Sequence, residues 1–162
     1  METHPDVVAD LNHMPWPFQD ESFDQVRCFD VIEHLEDIVQ VMDEVNRVCS
    51  RGAVIQITVP HFSSANAFTD PTHRHYFGYF SFSYFTGEHE FSYYTVSAFR
   101  KRHAAIIFHP TVLGRLVSRL ANRRPDIYEK RWAWIFPAWH LYFELEAKPT
   151  CDASASGTTS SK

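Results

Sequence analysis

Between residues 23 and 60 the hydrophobic pattern changes period twice, and few architectures accept that order. "FDQVRCFDVI" (23–32) mixes Phe, Val, Cys and Ile over the length of a strand and reads as a largely buried one. From Leu35 the apolar residues recur at 35, 38, 39, 42, 45 and 48, one face of a helix. Glu36 and Asp37 at its start and Arg47 and Arg51 near its end complement the helix dipole, and Gly52 suits a left-handed cap. "AVIQITVP" (53–60) is then a strand rich in β-branched residues, closed by Pro60. Strand, helix and strand with short connections make a βαβ unit, which requires a parallel pair and a right-handed crossover. The fold class is α/β, and ligands in such sheets sit beyond the carboxyl ends of the strands.

Around this unit, "DVVADL" (6–11) reads as a short strand, followed by a turn-rich stretch in which two prolines forbid a regular helix. Residues 61–92 are a long aromatic, His-bearing segment with one short helix expected near 81–86; segments of this kind act as lids or substrate-binding insertions. "RKRHAAIIF" reads as a strand and "TVLGRLVSRLANRR" as an amphipathic helix with Arg115, Arg119 and Arg123 along one side. In "WHLYFELEA" (139–147), Trp139, Leu141, Phe143, Leu145 and Ala147 alternate as the inward face of a terminal strand. One domain over 1–149 and a disordered tail over 150–162 follow from length and from the small polar residues at the end.

Charge narrows the partners. Residues 1–50 hold 12 Asp and Glu against two Arg, whereas residues 100–131 hold nine Lys and Arg against two acids. A formal net charge of -5 argues against nucleic acid, and the local basic patch points to an anionic small substrate or a membrane surface. Three cysteines without paired spacing suit a reducing compartment, so cytoplasmic location is expected, and no apolar run is long enough to span a bilayer.

The ordered set in residues 7–60 carries a family resemblance. An acid-ended strand, a Met-Pro-Trp-Pro-Phe loop, "SFD" entering the next strand, "EHL" opening a helix and "EVNRV" before a glycine turn resemble the middle of a class I S-adenosylmethionine-dependent methyltransferase of type 11. "DPTHRHYF" and "FELEA" are similar to a bacterial subgroup of these enzymes. The resemblance implies a partial Rossmann-like fold, a mostly parallel sheet with a C-terminal antiparallel strand. It implies methyl transfer to an O or N of a small molecule or glycan, with S-adenosylmethionine as cofactor. Asp10 and Leu11 match positions that receive the adenine ring; Phe29, Asp30 and Val31 match positions that border the methionine part. The family's glycine-rich loop has no counterpart in this sequence, since no G-x-G occurs in it. Without the strands that carry that loop, the Val26–Val31 strand is expected to be exposed, re-paired or used in homodimerisation. A non-catalytic interaction module is the competing reading.

Candidate chemistry lies in the histidines and acids. His73, after Asp70-Pro71-Thr72, is the first candidate for proton abstraction from an acceptor oxygen or nitrogen, with His34 as the second, because an imidazole titrates near neutrality. His61, Asp70 and His75 are candidates to position substrate. Asp30, Glu33 and His34, at i, i+3 and i+4, with His61 after the next strand, are a candidate divalent-metal set; Glu33 and His34 equally suit an ordinary helix start. His73 and His75 with Asp70 and His61 are an alternative zinc or iron set. The arginine stripe suits a solvated helix face, and "RWAWIFPAWHLYF" suits core beneath the terminal strand.

Overall fold

The computed structural model describes residues 5–87 and 99–148. Its sheet has four strands, β1 (Phe23–Phe29), β2 (Cys49–Pro60), β3 (Phe99–Ile107) and β4 (His140–Ala147), in the order β1-β2-β4-β3. β1 and β2 are parallel and joined through helix α1 (Ile38–Val48), as the βαβ pattern requires. β4 runs against both β2 and β3. Three strands therefore point one way, yet the reversed β4 lies between two of them, so one pairing of three is parallel. The expectation of a mostly parallel sheet is corrected accordingly.

The helix begins later than its apolar period. Ile32–His34 form a 3-10 turn, Leu35 is extended, and Asp37 caps α1 by accepting from the Val39 and Gln40 backbone N–H groups. At the other end α1 passes directly into β2 at Cys49. Gly52 is left-handed (φ 77°) but lies inside β2, where the register with β1 slips between Phe23 and Gln25; it serves a bulge and not a helix cap.

Alternation in β2 and β4 places Ile55, Ile57 and Val59 directly opposite Leu145, Phe143 and Leu141 on one buried face. Val41, Met42 and Val45 of α1 and Phe82 of a 3-10 turn (Ser81–Phe85) join that core, Phe82 with its ring centroid 4.7 Å from that of Phe143. The other face is polar: Gln25 donates to Gln56, Gln56 to Tyr142, and Tyr142 to Glu144.

Two strand expectations fail for the same reason, the absence of a neighbour. Residues 7–10 form no strand and leave Val7 and Val8 exposed, because nothing among the described residues pairs with them. Among the described residues β1 pairs with β2 alone, so it is an edge strand and not a buried one, with Phe29 49% exposed. Exposure is one of the three outcomes expected for this strand.

The opposite edge is covered. Helix α3 (Val112–Arg123), capped by the Thr111 hydroxyl, lies along β3, and its Asn122 carboxamide accepts from the Ile106 N–H and donates to the Ile106 carbonyl. Cys28 and Cys49 are free thiols, which burial pushes up to about 11; Cys151 and the tail lie outside the described residues, as do residues 88–92 of the 61–92 segment.

Candidate functional site

The carboxyl ends of β1 and β2 and the start of β4 meet at one edge. The Asp30 N–H donates to the Thr58 carbonyl, extending the β1–β2 ladder by one residue, and Asp30 then turns left-handed (φ 53°), a conformation that Asp tolerates better than most residues. That reversal drives the chain into the 3-10 turn and sends the Glu33 side chain inward to 1% exposure. Phe29 and Asp30 stay exposed at the rim and Val31 is half-buried. The Asp30 carboxylate faces the Thr58 hydroxyl at 3.3 Å and His140 Nε2 at 3.4 Å.

Residues 70–75 return over this turn. The Arg74 N–H donates to the Glu33 carbonyl at 2.8 Å, which docks the DPTHRH segment and delivers His73 to the buried carboxylate. His73 Nε2 is 4.0 Å from Glu33 Oε1, and the rings of His34 and His73 meet edge to face at 4.7 Å. Glu33, His34 and His73 each offer a ligand atom within 4.8 Å of the other two. Neither Glu33 carboxylate oxygen has a hydrogen-bond partner among the described residues. Burial pushes the Glu33 carboxyl above its usual range, and nearby Asp30 adds to the effect.

The neighbours set both tautomers. His73 Nδ1 faces the Ala67 carbonyl of α2 (Asn66–Thr69) at 3.0 Å; a carbonyl only accepts, so Nδ1 carries the proton. The Thr72 hydroxyl donates to Asp70, so it accepts from His34 Nδ1 at 2.8 Å and fixes the proton there. In the neutral rings both Nε2 atoms are left with lone pairs. Asp70 is held ionised by the Thr72 hydroxyl and N–H, which keep its carboxyl below the usual range.

Other expected residues are placed elsewhere. His61 is fully buried, accepts at Nδ1 from the Ser63 N–H and so directs Nε2–H to Glu129, 3.3 Å away. Asp30 and His61 are therefore outside the cluster, and His73 takes the place the sequence reading gave to them. His75 turns away, its Nε2 held by the Leu35 and Glu36 carbonyls, so the zinc or iron set of His61, Asp70, His73 and His75 does not assemble. Asp10 is exposed and closes its own turn through the Asn12 N–H and His13, which lower its carboxyl. Asn12 in turn accepts from the Glu36 N–H, holding Asp10 and Leu11 at the entrance to α1. Glu129 and Thr72, the hydrogen-bond partners of His61 and His34, were not among the candidate residues read from the sequence. Glu129, which also accepts from the Tyr79 N–H, had no sequence signal; Thr72 had one in its place between Asp70 and His73.

What this site can do is hold or move a proton beside a buried carboxylate, or offer two imidazole nitrogens and a carboxylate to one cation. Residues 2–57 match the family model described as a methyltransferase domain. None of the curated proteins compared matches the chain. Among solved structures, an S-adenosylmethionine-dependent methyltransferase from Mesorhizobium loti is 15% identical, with 88% of this chain and 71% of that one covered and a TM-score of 0.53. A methyltransferase from Archaeoglobus fulgidus is 18% identical over 86% of this chain and 66% of that one, TM-score 0.57. The cyclase SpnF shares the fold at 15% identity and TM-score 0.52, with 88% of this chain and 55% of that one covered. Across these three, the chain spans 55–71% of their length. The fold is that of the class I S-adenosylmethionine-dependent methyltransferases, over the strands and helices described above.

Proposed function

We propose that this chain carries out methyl transfer from S-adenosylmethionine to an oxygen or nitrogen of a small molecule or glycan, with His73 as the base. The observation that carries the reading is the His73–Glu33 pair at the carboxyl end of β1. A proton leaving the acceptor goes to the His73 Nε2 lone pair, and the Glu33 carboxylate, which has no other partner, stabilises the imidazolium so formed. His34, fixed by Thr72 and Asp70, shares the edge of His73 and orients it. The cofactor supplies an already activated methyl on a sulfonium, so alignment and exclusion of water are what the protein must add.

Cofactor placement follows the resemblance. By the resemblance, Phe29, Asp30 and Val31, at the rim of the β1 end, would border the methionine part, and Asp10 and Leu11, beside Asn12 at the α1 entrance, would receive the adenine. The exposed rim of Asp30 fits a cationic sulfonium by charge. Further strands carrying a glycine-rich loop would pair at the open β1 edge. Asp70 reaches the site through Thr72, whereas His61 and His75 shape the walls from behind. Calorimetric titration with S-adenosylmethionine tests the reading: micromolar binding weakened at least tenfold by Asp30→Ala is expected, and no heat from the folded chain overturns it. A chain that binds nothing yet dimerises more strongly as concentration rises would instead favour an interaction module built on the β1 edge.

A second reading has its own observation. Two Nε2 lone pairs and an unpartnered buried carboxylate are the donor set of a divalent transition-metal site with open positions. There Glu33, His34 and His73 would hold the ion, and the Thr72 and Ala67 contacts would orient the imidazoles from outside. The ion would lower the pKa of an acceptor hydroxyl, so that its proton could pass to solvent water without a base from the protein. Elemental analysis after dialysis against zinc or manganese decides between them: one equivalent lost in His73→Asn supports the metal, and none bound by the folded chain removes it.

A further inference from the structure

Helix α3 is packed with its apolar face outward. Ala121 is buried, and Gly114, Ser118 and Asn122 line the side that meets β3, where Asn122 clamps the Ile106 backbone and Ser118 supports it. An added Cβ at Gly114 would stand 2.1 Å from the His109 carbonyl, so the start of α3 is fitted closely to the turn that precedes it. Leu113, Leu116 and Leu120 are left 57–63% exposed at i, i+3 and i+7. Helical spacing places Arg115, Arg119 and Arg123 in a stripe flanking those leucines. All three arginines are exposed, and none is paired with a carboxylate among the described residues.

The apolar surface continues into the next segment. Leu113, Leu116 and Leu120 face Ile127, Trp132 and Phe136 across a groove of about 480 Å³, and Trp134 and Ile135 beside it are 69% and 62% exposed. The sequence reading placed residues 131–143 as core beneath the terminal strand; Ala133, Ala138, Leu141 and Phe143 are buried as expected, whereas Trp132, Trp134, Ile135 and Phe136 lie on the surface, in a loop that the Tyr128 hydroxyl ties to the Phe136 carbonyl. This surface lies along β3, at the far side of the sheet from the open β1 edge, so strands added beside β1 would leave it bare.

We infer that α3 and residues 132–136 dock the protein on the surface of an anionic lipid bilayer. A leucine stripe bordered by unpaired arginines, with tryptophans level with it, matches an interfacial helix: the apolar groups enter the acyl boundary and the guanidinium groups stay at the phosphates. An anionic lipid surface supplies charge opposite all three arginines at once, without a fixed register. The segment 108–139 leaves the carboxyl end of β3 and re-enters at the start of β4, the edge that holds Asp30 and Glu33. Docking there sets the candidate site at the same end of the molecule as the headgroups.

Co-sedimentation of the whole chain with vesicles tests the inference, using phosphatidylcholine alone and phosphatidylcholine with phosphatidylglycerol. Binding to the anionic vesicles only, weakened as salt rises, is expected. Leu116→Glu should reduce partitioning by about tenfold or more, and Arg119→Glu by about fivefold or more. These side chains are exposed, so circular dichroism and thermal unfolding should match the parent chain. No binding to either vesicle, or equal binding by the variants, overturns the inference. A parent dimer that Leu116→Glu converts to monomer, with no vesicle binding, would overturn it in favour of a self-interface.

Discussion

His73 Nε2 stands 4.0 Å from Glu33 Oε1, and that carboxylate, 1% exposed, has no hydrogen-bond partner among the described residues. A buried acid in this state opposes folding when it ionises. Its folded pKa is raised, so the stability it contributes is full below the ordinary glutamate value of 4.5 and is lost as pH rises through the folded value. Glu33→Gln should therefore unfold at higher temperature than the parent at neutral pH, by about 1–3 kcal/mol, and lose the advantage in acid. Thermal melts at a series of pH values measure this; identical pH profiles for the two chains would show that the carboxylate is already neutralised.

Glu44 should show the opposite sign. It accepts from both the Nε and an Nη of Arg47 and from the Trp16 N–H, and the Arg47 bonds in particular hold its carboxyl below the usual range. The stability it contributes is present above the ordinary glutamate value and fades as pH falls through the folded one. Arg47 also donates to the Trp16 and Phe18 carbonyls and to Asp20, tying the 16–20 loop to α1. Arg47→Met should lower the midpoint of urea unfolding at neutral pH, and the loss should shrink in acid.

Zinc added to the parent chain should raise its melting temperature if Glu33, His34 and His73 act together on an ion. At about one hundred times the dissociation constant the gain is about 2.7 kcal/mol. Chelation should reverse the shift, and His73→Asn should abolish it without lowering the metal-free melt.

Asn122→Ala should destabilise the chain by about 1–3 kcal/mol, since both backbone groups of Ile106 lose their partner at once. Hydrogen exchange localised to β3 would locate the effect, and protection unchanged at Ile106 would contradict it.

The βαβ unit, the alternation of β4 and the 3-10 turn at Ser81–Phe85 were legible because each is written in a local period. Period does not say which side of an element meets the protein. For α3 the arginines marked a solvated side, but which of the remaining sides meets the protein was signalled by the small set Ser118, Ala121 and Asn122 and not by the leucines. Nor does period report neighbours: β1 has the composition of a central strand and the position of an edge. His73 and Glu33 were both visible as chemistry, but their meeting depends on the Arg74 N–H finding the Glu33 carbonyl, a contact forty-one residues apart in the chain. Trp139 kept the alternation of β4 yet lies just before its first residue, stacked on His109 at 4.7 Å and partly exposed.

Among the described residues the Asn122 clamp interrupts the outer ladder of β3 at Ile106, whereas the outer side of β1 carries no such interruption. Filamentous strand-to-strand growth requires every unit to offer two free ladders, and here one of the two is broken near its end. A second copy that pairs through β1 about a twofold axis uses the unbroken ladder of both, and growth through the other side has first to displace the Asn122 carboxamide.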